Sequence, residues 1–356
     1  MPATCVLPIT HFTPVAAASS SSTTTTETLV LTGIISSAEY YKARSILQTI
    51  ATKCPTLKAS ITPLPETAFT THRNTLRALY PSLHPQLHPH FVIELHTTRT
   101  TLTRGPNKVK HVDEKTTKKL MTRKEMVEFA SARGVEGLDD GREGEVDEEV
   151  RKVAERAHEV YLKGLAGPVV SIEFWHVGVK EASSEEEEEG GDGGLQNQPL
   201  GPRLLVELFG DSCPKTVEHF LKFVRGGGGD RGGSGGKYEK SLVTRIVKGG
   251  WMECGEIIDD AGQPIEVSPL EDENFIHPHD AYTLSYLTSS KGPHTATTPF
   301  LITLAPMPAF DKRYVAFGRV LQGLDTLHAF NAVQTSHERP VSEVWIQEIK
   351  VWDGGK

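Results

Sequence analysis

Pro202 to Gly226 reads PRLLVELFGDSCPKTVEHFLKFVRG, and its reading decides the fold of the C-terminal half of the chain. PRLLVELFG is an apolar, strand-like run that ends in glycine. Pro214 then stands where a missing N–H costs least, in the first turn of a helix. Val217, Phe220, Leu221 and Phe223 supply that helix with an apolar stripe to bury. A second strand-like run, VVSIEFWHVGVK, lies upstream at 169–180. Between the two runs, EASSEEEEEGGDGGLQNQ is too polar and too self-repelling to pack, which predicts a solvated hairpin loop; a partner-binding tract is the alternative. Downstream, GGGGDRGGSGG (Gly226 to Gly236) lacks the Gly-Lys-Ser/Thr ending of a phosphate cradle and reads as a flexible linker.

The N-terminal half has a different texture. TLVLTGII (Thr28 to Ile35) is a β-rich run, and SSAEYYKARSILQTIATKCP follows with serines placed to cap a helix. LKASITPLP and ETAFTTHRNTLRALYPSL repeat the alternation of strand and helix. HPHFVIELHTT returns to strand, TRGPNKVKH is a basic turn, and RKEMVEFASARG closes as a helix, an α/β layer pattern. VEGLDDGREGEVDEE is an acidic spacer, and DEEVRKVAERAHEVYLKGLAG predicts a helix ended by glycine. The expected organisation is a Ser/Thr-rich disordered tail at 1–27, an α/β domain at 28–134, an acidic linker and helix at 135–167, and a β-rich domain at 168–356. That last domain carries an acidic insertion (181–199) and a glycine-rich one (226–236).

Composition narrows the function classes. The 356 residues suit two domains, and the 37% apolar content is enough for two cores. A net charge of −8 argues against a nucleic-acid or anionic-membrane binder, which needs a basic stripe. Cys5, Cys54, Cys213 and Cys254 form no CxxC and lie far apart, so neither a zinc ribbon nor a disulfide framework is expected, and a reducing, cytoplasmic setting is. No signal or transit pattern opens the chain, and no apolar run approaches the ~18 residues of a bilayer span.

The strand–Pro-Lys-Thr–helix order of the opening stretch resembles the cyclophilins. RIVKGG, EDENF (Glu271 to Phe275) and FLITLAPMPAFDKRYVAFGRVLQGLDTL follow at cyclophilin-like spacing, over roughly Pro168 to Asp353. GGW after the arginine, DKRYVAFG and QTSHERPVSEVWI resemble the branch that carries a thioredoxin-like domain in front. The resemblance implies a closed eight-stranded barrel capped by two helices, behind a thioredoxin- or glutaredoxin-like domain in which Pro89 takes the place of the cis-proline. It implies no cofactor or metal, protein partners, and association with cilia or flagella. Redox chemistry is not expected, because the Cys-x-x-Cys position reads Ser37-Ala38-Glu39-Tyr40 and supplies no thiolate.

Cyclophilins catalyse rotation about X–Pro bonds, whose barrier is ~18–20 kcal/mol, with an apolar proline pocket and fixed donors around an arginine. The resemblance places that arginine at Arg245. The family's pocket phenylalanine falls at Gly250, its methionine at Trp251 with Met252 beside it, and its first glutamine at Glu253. A Met-Ala-Asn segment falls at about Tyr286-Leu287-Thr288, where two residues are inserted. The second glutamine falls at Pro299, the floor phenylalanine at Leu301, the tryptophan at Ala309 followed by Phe310 and Asp311, and the histidine at Tyr314. One arginine is kept while most of its company is exchanged. Replacing an aromatic wall by glycine forfeits ~1.5–3 kcal/mol of contact, and Pro299 removes a side-chain amide and a backbone N–H together. Glu253 would steady Arg245 but offset its charge. Two readings therefore stand: a non-catalytic scaffold or interaction module, and a weak or narrowly specific isomerase with Arg245, Trp251 and Leu301 in a reshaped pocket.

The remaining candidates read as structure. His277 and His279 lack a third ligand at metal spacing, His84, His88 and His90 sit among prolines in a surface turn, and Trp345 and Trp352 alternate with apolar residues of a last strand.

Overall fold

The computed structural model describes residues 21–79, 89–104, 110–136, 138, 148–179, 195–227, 236–258 and 263–353. The chain divides into two units, one of residues 1–32, 42–62 and 83–145, the other of 33–41, 63–82 and 146–356. In chain order the N-terminal half forms β1 (Ser21–Ile34), α1 (Ala38–Lys53), β2 (Leu57–Leu64), α2 (Glu66–Leu79), β3 (Phe91–Arg104), β4 (Lys110–Met121) and α3 (Arg123–Ser131).

Four of these strands make the sheet of the first unit, in the order β2-β1-β3-β4, with β3 and β4 antiparallel in a long hairpin. Leu29, Leu31, Phe91, Val92 and Ile93 are among its buried strand residues. α3 starts on a reciprocal capping box: the Thr122 hydroxyl accepts the Glu125 N–H at 3.1 Å, and the Glu125 carboxylate accepts the Thr122 N–H at 2.7 Å. Two expectations are corrected here. Strand β1 begins at Ser21, inside the stretch expected to be a disordered tail. Its β-branched threonines favour extended backbone, and Thr24 reaches the Thr100 carbonyl at 3.5 Å. Strand β4 was not foreseen, because KHVDEKTTKKLM has almost no apolar alternation. Cross-strand threonine pairs such as Thr98 and Thr116, 3.0 Å apart, take its place. The His88–Pro89 bond involves a residue outside the described ones, as do His84 and residues 1–20.

The second unit continues with α4 (Glu148–Lys163), β5 (Val169–Val179), β6 (Leu195–Pro199), β7 (Leu204–Leu208), α5 (Pro214–Val224), β8 (Arg245–Val247), β9 (Trp251–Cys254), β10 (Thr283–Tyr286), β11 (Phe300–Thr303), β12 (Ala316–Gln322), α6 (Leu324–Ala332), β13 (Thr335–Ser336), β14 (Arg339–Pro340) and β15 (Val344–Val351). Its main sheet has nine strands, ordered β15-β5-β7-β12-β10-β11-β9-β8 with β6 paired to β5. The expected closed eight-stranded barrel is instead a curled half-barrel. The ladder ends at the three-residue β8, and among the described residues only an isolated bridge, Leu242 to Trp345, and single bonds such as Val243 N–H to Val344 O (2.7 Å) reach towards β15. Strand β6 is a further correction: Leu195 to Pro199, expected inside the solvated acidic loop, pairs with Trp175 to Val179. The acidic run Glu185 to Glu189 and residues 228–235 lie outside the described residues.

Helix α5 fills the hollow of this sheet. Phe220 is fully buried and meets the rings of Tyr238, Phe300 and Phe317 at 5.0, 5.4 and 5.2 Å between centroids. A buried phenylalanine of this kind stabilises by ~1.5–3 kcal/mol. Pro214 opens the helix as the sequence predicts, and Val217, Phe220, Leu221 and Phe223 are all buried. Helix α2 belongs to the same unit although it lies outside the expected 168–356 domain. It packs along β12, and its Glu66 carboxylate accepts the N–H of Gly323 at 2.9 Å.

Candidate functional site

Alternation along the strands sorts the site from the core. Ile246, Met252, Ile302 and Leu284 lie in register across β8, β9, β11 and β10 and face the hydrophobic core. Their neighbours Arg245, Glu253, Leu301 and Ser285 form the next row, on the opposite face of the sheet. Strands β8 and β9 are joined by the Lys248-Gly249-Gly250 turn. Gly249 adopts φ +71° there, and its N–H donates to the Asn331 side chain at 2.7 Å.

Arg245 is fully engaged on this face. Its Nε donates to the Glu338 carboxylate at 2.7 Å, Nη2 reaches the same oxygen at 2.6 Å, and Nη1 lies 3.5 Å from Glu253 Oε1. Trp251 donates its indole N–H to that same Glu253 oxygen at 2.7 Å, and its ring lies 5.4 Å from the guanidinium. The Glu338 hydrogen bond, ahead of the Glu253 charge, pushes the proton affinity of Arg245 above its ordinary value. Glu338 is held from behind as well. It sits in the β13–β14 hairpin with φ +68°, next to His337 at φ +49°, and its carbonyl accepts the Ile246 N–H at 2.7 Å. Backbone in this region is uncommon for residues other than glycine, and the surrounding bonds fix it.

The other candidate residues fall into three places. Met252 and Leu301 are fully buried. Phe310 is nearly so, edge-on to Trp251 at 5.0 Å and to Tyr314 at 5.2 Å, so its ring joins the two. Leu287 is half-buried and donates its N–H to the Pro299 carbonyl at 3.1 Å, while Thr288 lines a separate cavity together with Tyr314. Tyr286 is a core residue whose hydroxyl meets His219 at 2.9 Å, and burial pushes its phenol well above the usual range. Glu338 is the residue the sequence reading missed. Its only signal was its place in SHERP, a segment read as a branch mark and separated from Arg245 by 93 residues.

Glu273 of EDENF has a structural role. Glu273 caps α5 by accepting the N–H groups of Lys215 (3.1 Å) and Thr216 (2.8 Å) and the Thr216 hydroxyl (2.8 Å), since Cys213 at the N-cap offers no side-chain cap. His277 bonds Ser212 at 2.7 Å. His279 is buried between Asp311 Oδ1 and Ser285 Oγ, each 3.0 Å away. Among the described residues no group of three or more His, Cys, Asp or Glu side chains could hold a metal ion, and no helix is long and apolar enough to cross a membrane.

Residues 196–351 match the family described as cyclophilin type peptidyl-prolyl cis-trans isomerase/CLD. The "Probable inactive peptidyl-prolyl cis-trans isomerase-like 6" of Bos taurus is 39% identical over 147 residues, 40% of this chain and 47% of that protein. The Homo sapiens protein of the same name is 36% identical over 151 residues, 41% and 48% of the two chains. A peptidyl-prolyl cis-trans isomerase D of Eremothecium gossypii is 32% identical over 158 residues, 43% and 42%. The chain thus spans about half the length, or less, of the curated relatives it matches. A crystal structure of a Cryptosporidium parvum cyclophilin type isomerase, determined in the presence of the dipeptide Ala-Pro, covers 42% of this chain and 93% of its own at 24% identity and a TM-score of 0.35. Residues 196–351 thus carry a cyclophilin-type domain, which is similar to that of the peptidyl-prolyl isomerase-like 6 proteins.

Proposed function

We propose that this protein is a non-catalytic cyclophilin-like module that binds proteins. The observation that carries the reading is the state of Arg245. Prolyl isomerisation needs a donor with field to spare for the twisting amide, and here the guanidinium already faces two carboxylates, Glu338 and Glu253. The names of the isomerase-like 6 relatives support the same conclusion. A proline-tetrapeptide isomerase assay on the full chain, beside Arg245→Ala, tests it. The expected result is no turnover above the uncatalysed rate in either protein. Turnover that disappears in Arg245→Ala would replace this reading with that of a narrow-specificity isomerase, which the 44% exposure of the Arg245 side chain favours.

The front unit fits the role of a spacing or interaction domain. Its strand order β2-β1-β3-β4, with an antiparallel β3–β4 pair, supports a thioredoxin-like reading. In the N-terminal half of the chain, Ser37 to Tyr40 before and within α1 offers no thiol for redox work. The partner in this proposal belongs to a cytoplasmic assembly such as a cilium or flagellum, following the branch resemblance. Imaging of a fluorescently tagged chain in ciliated cells tests that placement.

A further inference from the structure

Three loops outside the Arg245 row enclose a cavity of about 650 Å³. Asp272 and Phe275 line one side, Thr288 to Ser290 with Gly292, Pro293 and His294 the second, and Lys312, Arg313 and Tyr314 the third. We propose that this cavity binds a phosphate monoester carried on a peptide, the side chain of a phosphoserine or phosphothreonine in a partner protein.

The charge at the cavity is of one kind where it is free. Lys312 and Arg313 are exposed and form no ion pair among the described residues, and Arg313 lies 5.6 Å over the Tyr314 ring. Both nearby carboxylates are already occupied. Asp272, whose side chain is only 2% exposed, accepts the His294 N–H at 3.0 Å, and Asp311 accepts the His279 N–H at 2.8 Å. The Asp272 N–H in turn donates to His294 Nδ1 at 3.0 Å. A ring nitrogen that accepts an amide carries no proton, so in neutral His294 the N–H is on Nε2, a further donor at the rim. Ser289, Ser290 and Thr288 add hydroxyls.

This donor set suits a phosphate better than a carboxylate. A phosphate monoester carries about −1.5 to −2 charge and three acceptor oxygens, which two cations and several N–H and O–H donors can satisfy together. The frame is also braced in advance. Ser289 N–H donates to Thr295 Oγ1 at 2.9 Å, Thr295 Oγ1 donates to Gly292 O at 2.5 Å, and Lys291 N–H donates to Ser289 Oγ at 3.2 Å. His294 and Lys312 are fixed at φ +60° and +61°. A loop ordered before the ligand arrives loses less entropy on binding. The volume exceeds what a lone phosphate fills, and Phe275, 41% exposed, with Pro293 offers an apolar wall for a flanking side chain.

The test is fluorescence anisotropy on the full chain with three degenerate five-residue peptide pools, centred on phosphoserine, serine or glutamate. The phosphoserine pool is expected to bind roughly tenfold or more tightly than the other two. That preference should vanish in Lys312→Ala/Arg313→Ala and should weaken in Arg313→Gln, which keeps the side chain's bulk. Equal binding of phosphoserine and serine pools, or unchanged selectivity in the double variant, would overturn the proposal. So would a glutamate pool that matches the phosphoserine pool, because the site would then be a carboxylate reader. The inference extends the protein-binding reading above without needing catalysis to be absent. Turnover in the isomerase assay would sink that reading alone, while these pools report phosphate selectivity alone.

Discussion

Arg245 is the residue on which the proposed non-catalytic reading turns. Strand β8 presents it on the sheet face opposite the core, where Glu338 and Glu253 compensate its charge. Arg245 and Glu338 are 44% and 47% exposed, so solvent screens the pair and its contribution to folding is small. Glu338→Ala is therefore expected to change stability by less than ~1 kcal/mol in urea unfolding. A larger loss would mean that the bonds around β8 do more for the fold than for the site. His279 behaves in the opposite way. Burial, outweighing the hydrogen bond and charge of Asp311, holds its proton affinity below the usual imidazole value. The unfolded chain therefore takes up the proton first. Stability is complete above the unfolded pKa of about 6.5 and is lost as pH falls through the lower folded value. His277 and His158 are shifted downward too and act in the same window. Urea midpoints measured from pH 7 to 5 should fall for the native chain and fall less for His279→Gln. An equal slope in both would show that His279 does not report on folding.

Among the elements, α5 depends most on a residue distant in sequence. Its N-terminus would leave the Lys215 and Thr216 N–H groups without partners, and Glu273 supplies both while adding negative charge at the positive end of the helix dipole. Loss of a helix cap costs ~0.5–2 kcal/mol, and here a hydroxyl bond goes with it. Glu273→Ala should therefore lower the urea stability by about 1–2 kcal/mol. Retention of full stability would show that water replaces the cap. Legibility follows the same division between local and distant causes. Helix α5 was readable because its start signal and its apolar stripe both lie in one short segment. Strand β4 was not, because its residues are polar and only pairing with β3 makes them a strand. Strand β6 was hidden for a related reason: LQNQP reads as the end of an acidic loop until β5 is beside it. Glu338 escaped because nothing near it in sequence announces a partner in β8.

For the molecule as a whole, the cysteines provide a probe of each unit in turn. Cys54 lies in the first unit, Cys213 and Cys254 in the second, and all three are free and buried. Burial pushes the Cys254 thiol far up, and it raises Cys213 against the hydrogen bonds of Asn274 and Ser212. A thiol that is both protonated and covered reacts only when its surroundings open. The units differ in how well they cover their strands. In β2 most residues are exposed, whereas every residue of β10 and β11 is buried. Fewer buried contacts mean a lower free energy of opening. Alkylation followed by peptide mass mapping across a urea series should therefore mark Cys54 first of these three. Cys213 and Cys254 should then appear together at higher urea, since both sit in the one core that α5 fills. Simultaneous labelling of all three would mean that the chain unfolds as a single cooperative unit. Labelling of Cys213 ahead of Cys254 would mean that α5 and its Glu273 cap open before the sheet beneath them.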